Sequence, residues 1–227
     1  MGKLAIITVV LLLVQSLALA DDLFPPPWRG SQNTLTAEWD AWTGFPGLMS
    51  PDSWQATPRG LTAPWAEATA ETQLLSEYGG RGNVLMIPNE GTTNVERIIF
   101  QLDNYDQSNR TKVVRMQFTW YEGIPSNAVN LSDLTVWTDA GGPFDPAFTE
   151  VGHAYDFNTG WTVVAYEFTL APNPGWERIQ ADLRPVAAGE AYLDQVVIDT
   201  FCVPEPATLS LLALGLAGLI AQRRRQR

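Results

Sequence analysis

Lys112-Val113-Val114-Arg115-Met116-Gln117-Phe118-Thr119-Trp120-Tyr121 is the stretch that decides how this chain folds. Val114, Met116, Phe118 and Trp120 fall on one side of an extended chain; Val113, Arg115, Gln117 and Thr119 fall on the other. A helix would scatter these residues around its circumference, whereas a strand turns successive side chains to opposite faces. A period of two kept over this length marks a half-buried antiparallel strand.

The same signature recurs on both sides. Downstream, Trp161–Leu170 sets Val164, Tyr166, Phe168 and Leu170 against Val163, Ala165, Glu167 and Thr169. Glu177–Leu183 places Ile179, Ala181 and Leu183 inward, with Arg178, Gln180 and Asp182 outward. Leu134–Thr138 and the closing Ala191–Phe201 add two more strands. Upstream, Asn94–Leu102 carries Ile98, Phe100 and Leu102 on one face, and Asn83–Ile87 and Thr34–Trp42 supply shorter candidates. Turn clusters separate them at Asp103–Asn109, at Asp139–Pro146 around Gly141-Gly142-Pro143, at Asn173-Pro174-Gly175 and at Ala188-Gly189-Glu190. Among the soluble stretches only Ala66–Tyr78 has helical composition, and its weakly arranged apolar positions allow at most a short helix there. Seven or eight short strands without a sustained helix predict an all-β, two-sheet antiparallel β-sandwich, jelly-roll-like in arrangement. Ahead of it, Phe24-Pro25-Pro26-Pro27-Trp28-Arg29-Gly30 cannot be regular helix or central strand, because three successive prolines remove three donors. Residues 21–30 therefore read as an extended entry segment laid across the domain, with Trp28 as anchor.

Two segments flank this domain. Residues 1–20 have the layout of a secretory signal: Lys3, an apolar core Leu4–Val14, and Ala18-Leu19-Ala20 before Asp21 as the site for signal peptidase. At the other end, Val203-Pro204-Glu205-Pro206 is extended by its prolines. An uncharged run over 207–221 follows, then Arg223, Arg224, Arg225 and Arg227. The run is short for a spanning helix, which usually needs about 20 residues, and the arginines form a cytoplasmic stop. Between the flanks lies a single domain, 21–202, long enough for a sizeable core. It holds nine Lys and Arg against 24 Asp and Glu, a balance near −15. Such a field repels nucleic acid and anionic lipid, which excludes a DNA- or RNA-binding role. Cys202 is the only cysteine, so the domain has no internal disulfide.

The order of Pro-Glu-Pro, hydrophobic run and arginine cluster over 203–227 resembles the PEP-CTERM sorting signal of bacterial exported and surface proteins. That resemblance implies export, transient anchoring in the inner membrane by a single helix, and recognition and processing by an exosortase, a membrane-embedded transpeptidase. The mature protein would then sit at the cell envelope, the outer surface or outside the cell. The closing Ala191–Asp199 strand resembles that of jelly-roll, galactose-binding-like domains, many of which are carbohydrate-binding modules.

No residue set reads as a catalytic signature. His153 is the only histidine and no Gly-x-Ser-x-Gly elbow accompanies it. With 24 acids in the domain, carboxylate pairs arise by chance and none is singled out by spacing. Asp103, Asn104 and Asp106 make one oxygen-rich loop and Asp139 with Asp145 another. No cofactor is expected; a structural calcium on these oxygens is the alternative, although turn chemistry alone selects the same residues. The nine tryptophans are the best indication of binding, since sugar rings stack on exposed aromatic faces. Trp120 falls inward. Trp137 and Trp161 fall on faces opposite the apolar positions and are the surface candidates for a polysaccharide. The sequence thus supports an exported protein with a non-catalytic structural or interaction role, or a carbohydrate-binding module.

Overall fold

A computed structural model describes residues 22–69, 71–87, 96–105, 110–122, 129–185 and 190–203. The segments 1–20 and 207–221, the processing residues Ala18, Ala20 and Asp21, the motif residues from Pro204 onward, and Asp106 lie outside the described residues.

The described residues form thirteen strands: β1 Thr34–Trp39, β2 Ser53–Thr57, β3 Trp65–Ala68, β4 Gln73–Tyr78, β5 Arg81–Ile87, β6 Glu96–Asp103, β7 Thr111–Tyr121, β8 Val129–Thr138, β9 Gly141–Phe144, β10 Thr149–Tyr155, β11 Trp161–Leu170, β12 Trp176–Pro185 and β13 Ala191–Val203. They build two antiparallel sheets. One runs β10-β11-β7-β13-β1-β2, with the β4–β5 hairpin joining it through β5 beside the start of β13; the other runs β3-β6-β12-β8-β9. The opening stretch, β7, lies near the middle of the larger sheet, paired with β11 on one edge and β13 on the other.

The alternation read from the sequence sets the core. Val114, Met116, Phe118 and Trp120 of β7 are buried, as are Val196 and Ile198 of β13. They share one apolar cluster with Ile98, Phe100 and Leu102 of β6 and Ile179, Ala181 and Leu183 of β12. Trp39 of β1 meets Phe100 of β6 edge-on at 5.0 Å across the two sheets. Each large side chain fully removed from water contributes about 1.5–3 kcal/mol, which is how a domain without disulfides holds together.

The described residues of 66–78 are not helical. β3 pairs with β6, and β4 forms a hairpin with β5 across Gly79 and Gly80, whose φ angles are +57° and +81°. Alanine and glutamate favour a helix only locally; here hydrogen bonding to neighbouring strands overrides that propensity. The strand count also exceeds the expected seven or eight. β2, β9 and β10 lack a clean apolar alternation, being mostly exposed edge or near-edge strands, and Asp139–Pro146 is a hairpin turn that continues into β9.

The entry segment lies on the outer face of the larger sheet and is extended only at its start: the Arg29 amide donates to the Pro26 carbonyl at 3.1 Å and the Ser31 amide to the Trp28 carbonyl at 3.0 Å, so the chain turns there. The Phe24 amide donates to Gln117 Oε1 at 2.8 Å, and Arg115 Nη1 donates back to the Phe24 carbonyl at 3.3 Å. Gly152 makes room for the Phe24 ring, since a Cβ there would lie 2.5 Å from it. Trp28 stacks on Phe201 at 5.5 Å. Arg29 Nε donates to Asp199 Oδ1 at 2.7 Å and its Nη1 pairs with Asp22. This strap explains why Gln117 and Ala165 are buried although they point away from the core.

Candidate functional site

Around Arg178 the outer face of the smaller sheet is partly exposed, whereas Gln180 and Asp182, outward further along β12, are buried. Four residues stand directly opposite one another on four successive strands there: Trp65 of β3 faces Gln101 of β6, Gln101 faces Arg178 of β12, and Arg178 faces Trp137 of β8. Their neighbours along each strand, Ala66, Phe100, Leu102, Ile179 and Val136, belong to the core, so alternation turns all four outward. Trp65, Gln101, Arg178 and Trp137 are partly exposed. Three strand spacings separate the two indoles by about 14 Å. The Arg178 guanidinium lies over the Trp65 ring at 5.7 Å, and its Nη2 is 3.7 Å from Glu67 Oε2. Trp176, opposite Asp103, continues the face at one end of β12. Gly142 carries a φ of +147°, and a Cβ there would come within 3.0 Å of the Trp137 backbone, so the β8–β9 hairpin abuts Trp137. The result is a shallow row with an indole at each end and an amide and a guanidinium between them. Indole faces and fixed polar donors suit a sugar chain lying flat, each ring stacked while its hydroxyls are bonded.

Trp161 does not join this row. Although it points away from the core, it is only 2% exposed. Its Nε1 donates to the Gly79 carbonyl at 2.9 Å, Arg81 covers the ring at 4.8 Å, and Tyr121 packs on its edge at 5.4 Å. The β4–β5 hairpin closes over it, so Trp161 is a packing residue. Trp39, Trp42 and Trp120 are buried too. Trp54, 41% exposed, sits on the larger sheet beside a cleft of about 390 Å³ lined by Arg29, Thr36 and Glu38. Arg29 and Thr36 are already bonded to Asp199 there.

The loop oxygens serve the protein itself. Asn104 Nδ2 donates to Glu177 Oε2, and Asp103 Oδ2 accepts from the Thr62 amide at 3.3 Å. Asp139 Oδ1 accepts from the Gly175 amide at 2.9 Å. Among the described residues no three of His, Cys, Asp and Glu converge as a group able to hold a metal ion. His153 is half exposed, with Nδ1 3.4 Å from Glu150 Oε1.

At the far end of the larger sheet β13 leaves the domain. Its last residue, Val203, pairs with Thr111, and the sequence continues at once into Pro204-Glu205-Pro206. Residues 203–225 match the model of the PEP-CTERM protein-sorting motif. The chain carries a PEP-CTERM sorting signal. That signal marks a protein for export and exosortase recognition, and for a cell-surface or extracellular location. The PEP-CTERM motif begins inside a strand: Val203 is both its first matched residue and the last rung of β13.

No curated protein sequence matches the chain. Among solved structures, the Xyl-CBM35 module in complex with a glucuronic acid-containing disaccharide is 11% identical, with a TM-score of 0.35, over 70% of this chain and 99% of that one. CBM35 from Cellvibrio japonicus Abf62 is 12% identical, with a TM-score of 0.30, over 60% and 92%. A family two carbohydrate esterase from Cellvibrio japonicus is 12% identical, with a TM-score of 0.32, over 76% of this chain; this chain spans 36% of the esterase.

Sequence reasoning set Trp137 and Arg178 outward, and both are partly exposed. It missed Trp65, Gln101 and Trp176 as their companions. The outward parity of Trp176, Arg178 and Gln180 along β12 was visible, but the strand order that sets Trp65 and Trp137 on either side of Arg178 was not.

Proposed function

We propose that this exported protein is a non-catalytic interaction module that binds a polysaccharide at the cell surface through the outer face of its smaller sheet. One observation carries the reading: Trp65, Gln101, Arg178 and Trp137 form a continuous row across four adjacent strands. The row is open and shallow, which suits a chain bound along its length rather than a small molecule engulfed in a pocket. The strong acidic balance of the domain favours neutral polysaccharide over polyanionic glycans. Transient anchoring by residues 207–221, removal of the signal by signal peptidase and processing by an exosortase then place that face outside the cell.

Arrayed neutral and acidic polysaccharides, probed with the secreted protein, test this. Binding to a neutral polysaccharide is expected. Trp65→Ala and Trp137→Ala should each weaken it about tenfold, near 1.4 kcal/mol for a lost stacking partner, while Trp54→Ala leaves it unchanged. Wild-type protein that binds none of the array, or binding that survives both tryptophan substitutions, would return the protein to a purely structural role.

A further inference from the structure

Lys112 and Glu177 form an ion pair across the core at the end of the sandwich where β13 departs, and both side chains are 0% exposed. Lys112 points inward from β7 and Glu177 inward from β12 in the opposite sheet. Lys112 Nζ contacts Glu177 Oε1, and the other carboxylate oxygen, Oε2, accepts from Asn104 Nδ2. Asn104 is held from behind as well, because its backbone amide donates to the Gly175 carbonyl at 3.0 Å. One buried carboxyl thus touches an amine on one oxygen and the nitrogen of a carboxamide on the other. Two hydrogen bonds to a single carboxyl keep the amine and the amide within about 5 Å of each other.

We propose that Lys112 and Asn104 form an intramolecular isopeptide bond, with Glu177 as the proton carrier. The amine of Lys112 attacks Asn104 Cγ, a bond forms between Nζ and Cγ, and the bond between Cγ and Nδ2 breaks. Glu177 takes a proton from Nζ through Oε1 and gives one to Nδ2 through Oε2, so Nδ2 leaves as ammonia. The carboxyl ends as it began, and the reaction requires no oxidant, metal or cofactor. Burial favours the reactive protonation states: it pushes the Lys112 amine down and the Glu177 carboxyl up, against their mutual attraction. A desolvated neutral amine is a nucleophile, and a protonated carboxyl is a general acid. A side-chain rotation brings Nζ to the roughly 3–3.5 Å at which attack occurs. The bond would join β7 of one sheet to the end of β6 in the other, a covalent staple in a domain whose single cysteine makes no internal disulfide.

Mass spectrometry of the folded full chain decides it, whether or not a polysaccharide is bound. The expected protein is lighter than its sequence by one ammonia. Trypsin, which cuts after Arg97, Arg110 and Arg115, should release Ile98–Arg110 and Thr111–Arg115 as one branched species joined between Asn104 and Lys112. Glu177→Gln and Asn104→Ala should regain the full mass and, with Lys112 free so that trypsin cuts after it too, yield Ile98–Arg110, Thr111-Lys112 and Val113–Arg115 as separate peptides. Lys112→Met gives the same check if either of those fails to fold. Folded wild-type protein with the full sequence mass and unlinked peptides overturns the proposal. So does an ammonia loss that persists in Asn104→Ala, since it would arise elsewhere.

Discussion

Replacing Arg29 with methionine tests the strap most directly. Asp199 is 3% exposed at its side chain and holds the guanidinium through both oxygens, leaving Thr36 Oγ1, at 2.6 Å, as its other partner. Burial works against the Arg29 charge, but its hydrogen bonds and charge contacts with Asp199 and Asp22 outweigh this and hold it above its ordinary range. Methionine keeps most of the volume and removes the charge, so Asp199 is left buried and ionised with one hydroxyl. Breaking a buried pair from one side costs about 3–5 kcal/mol; Arg29 is itself 25% exposed, so the lower figure applies. For a domain of this size about 3 kcal/mol lowers Tm by roughly 6–12 °C at neutral pH. The sign of the pH dependence follows. Burial already raises the Asp199 carboxyl above its unfolded value, and losing Arg29 raises it further. A carboxyl with a raised folded value destabilises above that value and loses the penalty as pH falls through it. The gap between wild type and Arg29→Met should therefore narrow on going from about pH 7 to about pH 4, and Asp199→Asn should rescue the variant at neutral pH. Thermal melts read both. A gap that stays constant across that range, or a double variant no better than the single, would refute the argument.

Gly152→Ala should dislodge the strap by another route: its Cβ would lie 2.5–2.9 Å from Phe24 ring atoms. An overpacking cost of about 1–3 kcal/mol and faster tryptic cleavage after Arg29 are expected. Burial, with smaller contributions from Glu150 and Glu122, pushes the Tyr166 hydroxyl up to about 12. Spectrophotometric titration should find that phenol silent until the most alkaline pH. Because its folded value is raised, its contribution to stability is lost as pH rises through that range. Replacing Glu205 together with Arg223, Arg224 and Arg225 should strand the unprocessed precursor in the membrane, seen by fractionation and immunoblot; wild-type maturation of that variant would contradict exosortase handling.

The period-two stretches were legible because burial on one face demands them: Ile98, Phe100 and Leu102, or Ile179, Ala181 and Leu183, could be assigned inward without coordinates. Strands whose partners rather than side chains define them were not legible. β2 and β9 carry little apolar pattern, and 66–78 has helix-favouring residues that pairing with β6 and β5 overrides. Trp161 shows the limit for sites. Its parity was read correctly, yet solvent exposure depended on the β4–β5 hairpin folding over it. Trp137 keeps partial exposure beside the β8–β9 hairpin, and its partners in the row come from strands that are distant in sequence.

β13 is the last strand of the domain in chain order, yet it lies inside the larger sheet, with β7 along one edge and β1 and β5 along the other. The sorting tail continues directly from its final rung. Mechanical load on that tail runs along the axis of a strand bonded on both edges, so the ladder resists in shear, with many bonds loaded together. Peeling from an edge would load them one at a time. The attachment point is thus also the place where the sandwich best withstands being pulled.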